Sequence, residues 1–138
     1  MSYFLAKTDP ETYSITDLET DGETIWDGVH SYEAIAVIKS WKVGDKIFVY
    51  HSQGVAKIMG LMEVVGEPYK DPNDPRNISW AAKVKFVSKF PEEKQVSLKE
   101  IKESGKFSDF KLVKQGRLST MACPGNFVEW MREKLGGL

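Results

Sequence analysis

Apolar residues recur at two periods along this 138-residue chain, and the switches between them mark its elements. "YFLAK" (Tyr3–Lys7) reads as a first strand, and "SITDLE" (Ser14–Glu19), with Ser and Asp three apart, as a short capped helix. Trp26 ends a short strand-like segment just before Asp27-Gly28. From Ser31 the apolar positions Ala34, Ile35, Ile38 and Trp41 fall at three- to four-residue spacing. That spacing predicts an amphipathic helix whose exposed amides Ser31 can cap. Gly44-Asp45 then turns into a strand at Ile47–Tyr50. Ala56–Val65 makes the next strand, giving a hairpin around Ser52-Gln53-Gly54.

The second half opens on "GEPYKDPNDPRN" (Gly66–Asn77), whose three prolines among Asp and Asn predict one long surface loop. In Trp80–Phe90, Ala82, Val84 and Phe86 alternate with Lys83 and Lys85, the pattern of a strand with one wet face. "SLKE" (Ser97–Glu100) is a capping box opening a short helix. Asn126–Gly137 predicts a capped amphipathic helix docking through Phe127, Trp130, Met131 and Leu135 and stopping at its glycines. Strands interleaved with short helices, without regular strand–helix alternation, predict a single α+β domain over 1–138 with a curved or barrel-like sheet.

Composition is 41% hydrophobic and 28% charged, average for a globular chain, so neither disorder nor a fibrous fold is indicated. No apolar run reaches membrane-spanning length and the first residues lack the pattern of a secretion signal. The single cysteine, Cys123, excludes an internal disulfide and fits a reducing, cytoplasmic setting. With two histidines beside it, a structural zinc site has too few ligands, and no metal is expected. Net charge is −1, but residues 1–45 carry three Lys/Arg against nine Asp/Glu, and the remainder sixteen against eleven. A local basic face is therefore compatible with the near-neutral whole.

Neither GxGxxG nor GxxxxGK[ST] occurs, so no nucleotide cofactor is expected. Cys123 stands in no nucleophile motif. His51 and Ser52 are neighbours on a predicted strand and point to opposite faces, which argues against a base–hydroxyl pair. A binding reading fits better. Trp26 and Trp80 begin or end strands beside polar segments; each is either core or the wall of a pocket. With Lys7, Ser31, Tyr32 and Ser52 on neighbouring element ends, two such rings suit a flat ligand that hydrogen-bonds along its edge. Lys7, followed by "TDPETY", sits where it can reach a central cleft, and "KQGRLS" (Lys114–Ser119) places Lys114 and Arg117 about a glycine as a phosphate clamp or a plain polar turn.

The blocks "KTDPETYS", "WDGVHSYEA", "VGDKIFVYHS", "GLMEVV", "DPNDPRNISW" and "LVKQGRLS", in that order, resemble the signature blocks of the EVE domain family, in the PUA-like superfamily. The resemblance covers nearly the whole chain. It implies a strongly curved β-barrel with helices packed around it, no catalysis and no cofactor. It also implies recognition of a modified nucleobase, cytosine or adenine in DNA or RNA, in an aromatic pocket. By likeness to the related YTH domain, Trp26 and Trp80 are the cage candidates. Asp27, His30, Ser31, Tyr32, Lys7, Tyr50, His51, Ser52, Gly54, Arg117 and Ser119 complete the candidate set. The family usually reads "WDGVRNYQARN"; here His30, Ser31, Glu33, Ile35 and Ala36 replace its Arg, Asn, Gln, Arg and Asn. A serine hydroxyl in place of an amide changes which base edge can be read.

The expected partner is nucleic acid, bound by a monomer with neither membrane nor metal. The alternatives are an amidohydrolase of the related ASCH type using Lys7, Thr8 and Glu63 on a modified nucleoside, or a module for a small ligand or protein.

Overall fold

A computed structural model describes residues Met1–Leu138. β1 (Tyr3–Thr8) buries Phe4, Leu5 and Ala6 and leads into α1 (Ile15–Asp21). Ser14 Oγ accepts the Asp17 N–H at 3.1 Å while Asp17 accepts the Ser14 N–H at 2.9 Å, the reciprocal cap that the spacing predicts. β2 (Glu23–Trp26) and α2 (Tyr32–Ser40) follow, and Ser31 Oγ caps α2 through the Ala34 N–H at 3.2 Å. β3 (Lys46–His51) and β4 (Lys57–Val64) form the expected hairpin.

Within the segment expected to be all loop, β5 (Tyr69–Lys70) pairs with the start of β6 (Trp80–Lys89). The two residues are exposed and leave no apolar alternation to read. β7 (Val96–Ser97) precedes α3 (Leu98–Glu103), where Ser97 caps the Glu100 N–H at 3.0 Å. The Glu100 carboxylate pairs with Lys134 rather than completing the box. α4 (Lys111–Lys114) and β8 (Thr120–Ala122) are too short for a periodic signal. α5 (Gly125–Leu135) begins one residue before Asn126, with Pro124 at its cap and no side-chain capping bond. It stops where Gly136 takes φ +73°.

Strand order is β2-β6-β4-β3-β1-β8, with β1 and β3 parallel and the other pairs antiparallel. β2 and β8 each have one strand neighbour, so the pairing that would make a closed barrel does not run full circle. Helix α2 packs on both β6 and β8 and buries Ala34, Ile35 and Ile38. The architecture is mixed α+β, with the core between sheet and helices. Phe127 of α5 sits at its centre, its ring 4.6 Å from that of Phe110, 5.2 Å from Phe107 and 6.1 Å from Phe48. No helix is long and apolar enough to cross a membrane.

Candidate functional site

A cleft of about 850 Å³ lies at the C-terminal end of β1. Lys7, Thr8, Asp9, Thr12 and Tyr13 supply one set of walls; β2 and the turn after it supply Thr24, Ile25, Trp26, Asp27, Gly28 and His30. Parallel pairing with the hairpin strand β3 holds β1 in place, and the backbone N–H and Oγ of Ser52 both donate to the Thr8 carbonyl, at 2.9 and 3.2 Å. Ser52 therefore braces the end of β1, whose Thr8 lines the cleft.

Trp26 is both core and wall: it is 8% exposed, packs with the buried cluster and still lines the cleft. The Tyr13 ring meets it edge-on, centroids 6.4 Å apart at 79°. Tyr13 Oη donates to Asp21 at 2.8 Å, and burial together with that carboxylate raises its pKa. Thr8 Oγ1 donates to the Tyr13 carbonyl at 2.7 Å. Lys7 Nζ donates to Gly116 O at 2.8 Å and stands 5.6 Å from the Tyr50 ring centroid; its burial lowers its pKa.

The turn after Trp26 is held by the proline-rich loop. Ser79 Oγ, fully buried, donates to the Val29 carbonyl at 2.7 Å, and Arg76 Nη2 donates to the His30 carbonyl at 3.1 Å. Asp74 organises that loop by accepting from the Arg76, Ile78 and Ser79 N–H groups at 3.1, 3.1 and 2.8 Å. Desolvation works upward on its pKa, but these bonds prevail and hold it low. Gly28 adopts φ +75°, a conformation costly for a side-chain-bearing residue. Desolvation, then the nearby Asp71, raises the pKa of Asp27.

A neighbouring depression of about 340 Å³ is lined by Ser31, Glu33, Gln115, Gly116, Arg117 and Leu118. Lys111 at 2.5 Å and Gln115 at 3.2 Å bind Glu33 and lower its pKa. Arg117 is exposed and joins none of the ion pairs. Lys83 and Lys85, by contrast, face Glu23 at 3.2 Å and Glu63 at 3.9 Å.

Other sequence candidates fall elsewhere. Trp80 does not line the cleft; the Lys39 ammonium lies 5.0 Å from its ring centroid. Trp26 and Trp80 thus have different neighbours, Tyr13 for one and Lys39 for the other. Tyr32 is 78% exposed at the start of α2. His51 is buried and accepts from the Ile15 N–H, Tyr50 is buried beneath Lys7, and Gly54 occupies the hairpin turn at φ +85°. Ser119 takes part through its carbonyl, which accepts the Lys7 N–H at 2.8 Å. The trio Lys7, Thr8 and Glu63 does not assemble. Glu63 is in register with Lys46, opposite Tyr3, whereas Lys7 is in register with Tyr50 at the other end of the sheet. Lys46, 2.8 Å away, engages Glu63 and lowers its pKa.

Sequence reasoning missed Asp9, Thr12, Tyr13, Thr24 and Ile25. Tyr13 was within reach, since "TDPETY" follows directly from the strand carrying Lys7.

The family model described as EVE domain matches residues 2–134, and the chain belongs to that family. Thymocyte nuclear protein 1 of Rattus norvegicus is 36% identical over 91 residues, covering 54% of this chain and 40% of that protein; the chain spans well under two thirds of the curated relatives it matches. An X-ray structure of a Pseudomonas syringae protein is 30% identical with TM-score 0.86, covering 97% of this chain and 100% of that one. Human THYN1, crystallised in complex with DNA containing 5-methylcytosine, is 26% identical with TM-score 0.83, covering 97% of this chain and 98% of that one.

Proposed function

We propose that this EVE domain binds nucleic acid without turnover and takes one modified base, a methylated cytosine foremost, into the cleft beside Trp26. The observation that carries the proposal is the cleft itself: about 850 Å³, lined by Trp26, Tyr13 and Ile25 together with eight further residues, among them Lys7, Asp27 and His30. That volume lies within the roughly 300–1,000 Å³ usual for ligand sites. Where a base stacks on an aromatic ring, the contact contributes about 1–3 kcal/mol. The likeness to the human protein crystallised with methylated DNA supports the same reading. In it, the sheet acts as an incomplete barrel whose seam is covered by α2, and the chain works as one domain.

Asp27, His30 and Lys7 line the cleft, and Ser31 with Arg117 line the adjoining depression, where Arg117 meets a phosphate. Ser52 and Ser119 hold β1 through its backbone and His51 holds the first turn of α1, while Trp80, Tyr50 and Gly54 lie outside the cleft lining. The separation of Glu63 from Lys7 weighs against the amidohydrolase alternative.

The test is equilibrium binding of oligonucleotides that differ only in one methyl group, with wild type and Tyr13→Ala. Methyl-dependent affinity that Tyr13→Ala loses while staying folded supports the proposal. Equal affinity for both oligonucleotides at every salt concentration would remove it.

A further inference from the structure

Strand register shows which groups are free to read the polar edge of a base in this cleft. β2 has one neighbour, β6, and its other edge is unpaired. Phe86 N–H donates to Gly22 O at 2.7 Å, which makes these two residues a bonded pair. Antiparallel bonding then skips a residue and returns at Thr24 with Val84 and at Trp26 with Ala82. Lys83 agrees with this phase, because its carbonyl accepts from Val65 at 2.9 Å and Gly66 at 3.3 Å, on the side away from β2. Ile25, the register partner of Lys83, therefore turns its own N–H and C=O outward from the sheet.

The side chains of Ile25 and Trp26 stand on opposite faces of the strand, yet both residues line the cleft. A cleft that touches both runs along the strand edge and meets the Ile25 peptide groups. Three of the side-chain donors that line the cleft are already engaged, Thr8 with the Tyr13 carbonyl, Tyr13 with Asp21 and Lys7 with Gly116, and Thr12, Thr24 and His30 line it beside them.

We propose that the backbone N–H and C=O of Ile25 read the hydrogen-bonding edge of the base held against Trp26. The cleft then selects a base that presents a ring-nitrogen acceptor beside an exocyclic amino group. This inference rests on the reading of the cleft as a base pocket. The N–H donates to the ring nitrogen and the carbonyl accepts from the amino group, a pattern that cytosine and adenine offer. Thymine offers N–H beside a carbonyl and reverses both requirements. An added peptide strand is the competing occupant of a free edge, but β2 has four residues, and of the two that face outward Glu23 lies outside the cleft lining with its carboxylate 3.2 Å from Lys83.

Proline at position 25 deletes the outward N–H and spares the ladder, a substitution edge strands accept when the lost N–H faces away from the sheet. An amide-to-ester replacement at Ile25 deletes the same N–H without constraining φ. Both are compared with wild type by anisotropy, using single-stranded oligonucleotides with one cytosine, 5-methylcytosine or thymine at a fixed position; the last two carry the same methyl group. Wild type is expected to prefer 5-methylcytosine over thymine by at least about tenfold, as one buried hydrogen-bond mismatch implies. The ester, and Ile25→Pro where circular dichroism shows it folded, should bring that ratio close to one. If wild type discriminates and the ester keeps its ratio, the Ile25 assignment is overturned and the base pocket stands. If wild type binds the methylated strand no better than the unmodified one, the base pocket falls and this inference falls with it.

Discussion

The backbone N–H of Ile15 donates to His51 Nε2 at 3.0 Å, joining the first turn of α1 to the end of β3. The imidazole must be unprotonated at Nε2 to accept, and its burial lowers its pKa below 6.5. As pH falls, the unfolded chain takes up the proton first, so stability is complete above the unfolded pKa of about 6.5 and is lost below it, down to the folded pKa. Urea unfolding should show ΔG falling between pH 7 and 5, and His51→Gln should flatten that slope. Equal slopes would mean that His51 does not carry the effect.

Trp26→Ala removes a core side chain, with an expected cost of about 3–5 kcal/mol, so loss of binding in that variant would be ambiguous. Trp26→Phe keeps an aromatic ring in the core, leaves a smaller void than alanine and shrinks the stacking face. Its melting temperature should fall modestly while methyl-dependent affinity drops about tenfold, and an unchanged affinity would make Trp26 core alone.

Ser79→Ala leaves the buried Val29 carbonyl without its partner. Destabilisation of about 1–3 kcal/mol is expected, together with weaker binding, since Val29 lies in the turn that carries Asp27 and His30 to the cleft. Thermal melts and titrations on the same preparation check both effects.

Arg117→Gln should weaken binding to methylated and unmethylated oligonucleotides alike and reduce the slope of log affinity against log salt by about 1. A loss confined to the methylated form would move Arg117 from the phosphate to the base.

Gly60→Ala tests the packing of the β3–β4 hairpin against β6 and α1. A Cβ there would stand 2.4 Å from Ser88 O and 2.7 Å from Ile15 Cδ1, where β4 and β6 shift register nearby. Overpacking against backbone should cost about 1–3 kcal/mol in chemical denaturation, and a neutral result would show that the strands move apart easily.

Elements with strong periodicity or capping were legible in the sequence: α1 and α2 through Ser14 and Ser31, β6 through its alternating lysines, and α5 through its apolar face. β5, β7, β8 and α4 were not, because two to four residues cannot express a period and their pairing comes from tertiary contact. At the site, "WDGVH" and Lys7 could be read as a polar, aromatic turn and a strand end. The sequence could not show that Trp80 sits against Lys39 while Tyr13 meets Trp26, because which ring faces which depends on how β2 and α2 pack on β6. The outward phase of Ile25 likewise depends on a hydrogen bond between Phe86 and Gly22, residues far apart along the chain.

The most direct test of the central claim is a two-dimensional amide NMR titration of the whole chain with a methylated and an unmethylated oligonucleotide. A base seated in the cleft should shift the Trp26 indole N–H and the amides of Ile25, Asp27 and Gly28 with the methylated strand, and shift them far less with the unmethylated one. If both strands perturb only exposed lysine and arginine neighbourhoods and leave those resonances in place, the base pocket is contradicted.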